Sequence, residues 1–267
     1  MRLKKILPNF YLIIILLFVY IPILSLVIFS FNSSKSLLIF EGFSFQWYER
    51  LFTNDRFINA VVTTLVVAVI ATIVSTIIGT LAALYLTKQK TKVKDITLGI
   101  NNIPIVSPEI ITASALLIFF GSFAIPRGML TMVLAHIAFT IPYVVVAVYP
   151  KAKNLDPDII SASYDLGATP GQTLIKVILP QLRPAVIAGA AIAFAMSFDD
   201  FIISYFAASG SPVQNISIYL YSLKRGLDPT ANALSTIIII IIGIKVIFDY
   251  TKKTKIKRTW IKWKKYL

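Results

Sequence analysis

Residues 58–86 read INAVVTTLVVAVIATIVSTIIGTLAALYL, a run without a single Asp, Glu, Lys or Arg, bounded by Arg56 and Lys88. A helix needs about 20 apolar residues to cross the hydrocarbon core of a bilayer, so this run is long enough to span one. Five further segments qualify on the same ground: 10–31, 97–121, 129–150, 184–208 and 231–250. The composition agrees, with 57% hydrophobic residues, 14% charged residues and a mean hydropathy of +0.80. An ordinary soluble domain has roughly 45–50% apolar and about 25% charged residues. The expected fold is all-α, a polytopic membrane protein with six transmembrane helices in a single domain, residues 1–267.

The first apolar run follows the basic start Met1-Arg2-Leu3-Lys4-Lys5, as a signal peptide would. It is longer than a typical signal core and lacks a small-x-small cleavage site, so it reads as a retained span. An even number of spans puts both termini on one side, and the distribution of Lys and Arg says which. The intervals on the side of the termini hold Arg2, Lys4 and Lys5, then Lys88, Lys90, Lys92 and Lys94. Lys151, Lys153, Lys176, Arg183 and the tail from Lys252 to Lys265 follow. The opposite intervals hold only Lys35, Arg50, Arg56, Arg127, Lys224 and Arg225. Both termini are therefore read as cytoplasmic, and Trp47 and Tyr48 in the outer segment are placed like interfacial aromatics.

The net charge of +14 does not indicate nucleic-acid binding, because the basic residues sit in short intervals between apolar runs. With no Cys and His136 as the only His, a His/Cys metal centre and a disulfide are both excluded. The same poverty makes an intramembrane hydrolase hard to assemble.

Between the fourth and fifth apolar runs lies KAKNLDPDIISASYDLGATPGQTLIKVILPQLRPAV, starting at Lys151. Asp156 before Pro157 fits an N-cap with proline in the first helical position, and this helix is expected to run to about Leu166. Gly167 supplies a left-handed exit, and Thr169-Pro170-Gly171-Gln172 has capping-box spacing. A second helix is expected to run to about Leu179, before Pro180.

Ser161-Ala162-Ser163-Tyr164-Asp165-Leu166-Gly167-Ala168, followed by Val177-Ile178-Leu179-Pro180 and Pro184, resembles the EAA loop of ABC importer permeases. That pattern is E-A-A-x-D-L-G-A and then V-x-L-P-x-x-x-P. The resemblance implies the type I importer permease fold, and it makes 151–183 a coupling loop seated in a cleft of a cytoplasmic ATPase. Ser161, Ala162, Ser163, Asp165, Leu166, Gly167 and Ala168 are its coupling residues. The family's Glu is Ser161 here and its second Ala is Ser163, so an ion pair made by that Glu has no counterpart.

Other stretches resemble the spermidine/putrescine permeases of this class: Tyr20-Ile21-Pro22-Ile23, Phe31-Asn32-Ser33-Ser34, Ser107-Pro108-Glu109-Ile110, His136-Ile137-Ala138-Phe139, Ser197-Phe198-Asp199-Asp200 and Asp228-Pro229-Thr230-Ala231-Asn232-Ala233-Leu234. The function implied is polyamine import by alternating access, in the cell membrane. The partners implied are an ABC ATPase dimer, a homologous second permease and an extracytoplasmic polyamine-binding protein. No G-x-x-x-x-G-K-[ST] sequence occurs, so ATP and magnesium are expected on the ATPase, with no cofactor in this chain and no enzyme activity of its own.

Acidic groups inside spans need a reason independent of any resemblance, since each costs at least about 2.5–3.5 kcal/mol at mid-bilayer on insertion scales. Glu109, Asp199 and Asp200 are such groups, and Asp249 stands at a span end. On straight helices Glu109 would lie roughly 20 Å and Asp200 roughly 24 Å above the start of their spans, at similar depth. Pro104 and Pro108 are candidates to break the third span just before Glu109. Glu109 and at least one of Asp199 and Asp200 are expected to face a polar pathway, where carboxylates offset the hydration an ammonium loses. Adjacent helical residues point about 100° apart, so one aspartate is left to cap a helix or pair elsewhere. His136 has two readings, an interhelical hydrogen bond or a neighbour of the pathway. Asn101, Asn102, Phe201, Tyr205 and Phe206 have a pathway reading and a packing reading. The alternatives are an ABC permease for another small cation or solute, and an ion-gradient-driven transporter with the acids as coupling sites, which leaves the loop at 151–183 without a role.

Overall fold

The computed structural model describes residues 3–36, 38–223 and 229–263. Of the charged positions used above, Arg2, Lys224, Arg225, Asp228, Lys264 and Lys265 lie outside the described residues. So do the side chains of Lys4, Lys5, Asp249 and the basic tail from Lys252.

Helices carry the chain, and an isolated bridge between Asn32 and Phe43 is the strand-like pairing among the described residues. In order they are α1 (Leu3–Phe29), α2 (Gln46–Phe52), α3 (Asp55–Thr87), α4 (Thr91–Val106), α5 (Glu109–Ser122) and α6 (Met129–Lys153). Then follow α7 (Pro157–Asp165), α8 (Pro170–Thr173), a π-helical turn (Leu174–Ile178), α9 (Leu179–Asp199), α10 (Ile202–Ala207), α11 (Ile216–Ser222) and α12 (Pro229–Trp263). Five helical stretches are each long and apolar enough to cross a membrane, and α4 with α5 passes the same test as a bent pair.

The chain forms two compact units, one from the chain up to Phe57 with the chain from Leu220 onward, the other from Ile58 to Tyr219. In the first, α12 packs on α1 and α2. Its outer segment is organised by buried Asn32, whose side chain donates to the carbonyls of Ser36 and Ile39 and accepts from the backbone N–H of Glu41. Trp47 is buried in the protein, and its indole N–H donates to the Asn32 carbonyl at 2.6 Å. A buried indole needs such an acceptor, and the turn supplies one. Tyr48 is half-buried, its hydroxyl 2.7 Å from Ser30 Oγ.

In the second unit α6 packs most extensively on α9. The approach is close because Gly189 has no side chain: a Cβ there would lie 3.3 Å from Val144 Cγ1 and 3.4 Å from Ala147 Cβ. Gly79 of α3 meets the same valine, with a would-be Cβ only 2.7 Å from Val144 Cβ. Small residues at such crossings let helices gain dispersion contacts that lipid cannot replace. Fully buried Val144 is thus wedged between two glycine faces.

Two spans depart from the straight helices expected. The segment 97–121 is broken at Ser107-Pro108, where α4 and α5 meet at 104°. Ser107 is extended (φ −71°, ψ 144°) because a following proline disfavours the helical region. The depth of roughly 20 Å computed for Glu109 on a straight helix therefore does not hold. The segment 184–208 ends its helix at Asp199, and Asp200 is extended before α10 begins. At its other end the second loop helix does not stop before Pro180. It continues through the π-helical turn as one run, Pro170–Asp199. The wider turn lies where the ring of Pro180 would otherwise meet the carbonyl four residues earlier.

Candidate functional site

The loop between α6 and α9 is built from caps. The Asp156 side chain accepts from Asp158 N–H at 2.9 Å, with Pro157 in the first helical position of α7. At the other end Ala168 N–H donates to the Ser163 carbonyl (3.0 Å) and Gly167 N–H to the Tyr164 carbonyl (2.8 Å). This is the Schellman pairing, and Gly167 holds its left-handed position at φ +80°. Thr169 and Gln172 then complete a reciprocal capping box at the start of α8.

The residues expected to couple to an ATPase separate into two faces. Ser161, Ala162, Asp165 and Gly167 are exposed, and Leu166 at the turn is 89% exposed. Ser163 faces inward, its hydroxyl 2.9 Å from that of buried Thr173, which ties α7 to α8. The Ser161 hydroxyl donates to the Pro157 carbonyl of its own helix. Ala168 is half-buried in the turn.

A second cluster surrounds the breaks in the spans. Glu109 is the first residue of α5, where the positive end of the helix dipole favours a carboxylate. It borders a small cleft with Pro104, Thr112, Phe139, Tyr143 and Ile203. Asp199, the last residue of α9, is exposed. Among the described residues no Lys or Arg lies within salt-bridge distance of Glu109 or Asp199.

Asp200 is differently placed. It is 7% exposed, and its carboxylate accepts from Ile203 N–H (3.1 Å), Ser204 N–H (2.7 Å) and the Ser204 hydroxyl (2.7 Å), so it caps α10. His136 on α6, 1% exposed, stands 3.4 Å from the same carboxylate. Its two ring nitrogens reach the hydroxyls of Ser204 (2.8 Å) and Ser197 (2.6 Å). Asn215 closes the node, donating to the Asp200 carbonyl and to Ser204 Oγ and accepting from Ile218 N–H. Thr64 of α3 accepts from Ile216 N–H. His136 thus makes interhelical hydrogen bonds. Asn101 donates to the Pro142 carbonyl and Asn102 is exposed. Phe201 and Phe206 pack against the core of this unit, while Tyr205 is exposed and tilted against Phe201. Sequence reasoning missed Tyr143 beside Glu109 and the partners of His136. Ser197 reaches His136 from α9, whereas Ser204 and Asn215 join the node past the break after Asp199, which no local pattern announces.

Residues 75–251 match the model of the binding-protein-dependent transport system inner membrane component family. The chain belongs to that family. Its members are membrane components of transporters, not enzymes. The chain is 37% identical over 236 residues to the spermidine/putrescine transport system permease protein PotC of Haemophilus influenzae, covering 88% of this chain and 91% of that protein. It is 35% identical to PotC of Escherichia coli K12 (86% and 87% covered) and 36% identical to the putrescine permease PotI of that strain (85% and 83% covered). Among solved structures, a chain of a bacterial ABC transporter that imports alginate superposes with a TM-score of 0.74 at 14% identity, covering 94% of this chain and 96% of that one. A chain of an alginate transporter in complex with its substrate-bound periplasmic protein gives 0.62 at 17% identity, with 92% and 91% covered. The fold is that of an ABC importer permease, as the loop motif implied.

Proposed function

We propose that the chain is one of two permease subunits of an ABC importer for polyamines such as spermidine and putrescine. The observation that carries the cation reading is the pair Glu109 and Asp199, two carboxylates without a basic partner among the described residues, beside a broken span. In a low-dielectric passage such groups replace part of the hydration shell of an ammonium. The 35–37% identity to permeases named for spermidine and putrescine supports the cargo. Asp200 acts at one remove, holding the α9–α10 break from which Asp199 is presented.

Both termini and the loop at 151–183 are cytoplasmic in this reading. An ATPase dimer, which binds the ATP and magnesium, docks on the exposed face that includes Ser161, Ala162, Asp165 and Leu166. A homologous second permease completes the passage, and a polyamine-binding protein delivers cargo from outside.

The test is ATP-dependent uptake of labelled spermidine by proteoliposomes that hold the whole complex, challenged with unlabelled putrescine, amino acids and sulfate. Uptake blocked only by polyamines is the expected result. An assembled complex that hydrolyses ATP yet takes up no polyamine would overturn the cargo.

A further inference from the structure

A cleft of about 460 Å³ opens between the end of α3, the end of α6 and the loop helices, within the range of ligand sites. Leu81, Leu84, Leu174 and Ile178 form apolar wall, and Lys88 and Lys153, both exposed, line it as well. No carboxylate lines it. Leu81 and Leu84 belong to the apolar run 58–86, whereas Lys88 opens the hydrophilic interval after it. The cleft therefore straddles the level where hydrocarbon gives way to headgroups. Leu81 is 50% exposed and Tyr85 beside it 64% exposed, so this side of α3 is open.

We propose that the cleft binds an anionic phospholipid from the leaflet on the side of the coupling loop. One acyl chain lies along Leu81, Leu84, Leu174 and Ile178, and the phosphate sits between Lys88 and Lys153. Charge complementarity selects this occupant: two ammonium groups with no lining acid attract a phosphate, and basic pockets at the cytoplasmic ends of spans hold anionic headgroups in just this way. The bound lipid bridges α3 to α8 and the π-helical turn, and so braces the coupling loop against a membrane span. The leaflet is the inner one if the loop is cytoplasmic, as proposed above; the site itself does not depend on the cargo.

The test is native mass spectrometry of the assembled transporter in detergent supplemented with phosphatidylglycerol or phosphatidylcholine. Wild type is expected to retain phosphatidylglycerol in preference to phosphatidylcholine, K88Q/K153Q to lose retention by roughly fivefold or more, and K92Q/K94Q to keep it. K92Q/K94Q removes the same charge from lysines that do not line the cleft. Leu84→Trp, which fills the cleft and leaves both lysines, is expected to lose the lipid as well and serves if K88Q/K153Q fails to assemble. Equal retention by wild type and the cleft variants, or no preference for the anionic lipid, overturns the proposal. So does a photoreactive group on Leu84→Cys that crosslinks to the ATPase instead of to lipid, because the cleft is then a protein contact.

Discussion

Asp199 and Asp200 are neighbours in sequence with opposite duties. Asp200 gives its carboxylate to the start of α10 and to His136, while Asp199 stays exposed beside an α9 terminus. Replacing Asp200 with Asn sets an amide where two N–H groups and a hydroxyl donate, at a cost of roughly 1–3 kcal/mol. Thermal unfolding of the purified complex is expected to shift down for D200N and to stay unchanged for D199N. Uptake is expected to fall for D199N and for Glu109→Gln with ATPase binding intact, as pull-down of the complex reads. Unchanged uptake for both would remove these acids from the pathway. The sequence singled out all three acids by their cost in a membrane, but their division of labour depends on φ and ψ at a single residue.

The loop between α6 and α9 shows how far local chemistry carries at the scale of an element. Both caps, the left-handed glycine and the capping box were legible in order, because each is set within five residues. Gly167 has open space around its Cα, so only its positive φ demands glycine. Gly167→Ala is expected to cost about 1 kcal/mol at this turn and to weaken the coupling of ATP hydrolysis to uptake. Gly167→Pro removes the N–H that closes the helix and is expected to abolish uptake while membrane insertion, measured by fractionation, stays normal. What the loop sequence did not reveal is the inward turn of Ser163. Its hydroxyl meets Thr173, ten residues on, once α7 and α8 fold together.

At the scale of the whole molecule, helix packing sets tolerance. Val144 fills the space between Gly79 and Gly189, and Gly79→Leu must push α3 off α6. Overpacking of this kind costs roughly 1–3 kcal/mol, visible as a lower unfolding temperature in detergent. Orientation is testable without background because the chain has no Cys. With the ATPase stripped from the membranes, a cysteine at Leu166, 89% exposed in the chain alone, is expected to react with a membrane-impermeant thiol reagent only from the cytoplasmic side, and one at Leu38, 92% exposed, only from outside. The reverse pattern would invert the topology drawn from the lysines and arginines.

The sequence by itself determined the membrane as solvent, the all-α class, the six apolar stretches and the capped loop. These follow from composition, run length and contacts within a few residues, and long-range packing does not change them. Only the tertiary structure decided where spans three and five break, that Asp200 and His136 are spent on a buried node with Ser197, Ser204 and Asn215, and that Glu109 and Asp199 have no basic partner among the described residues. Those outcomes rest on groups as far as 68 residues apart finding one another in a medium that offers no water to satisfy them.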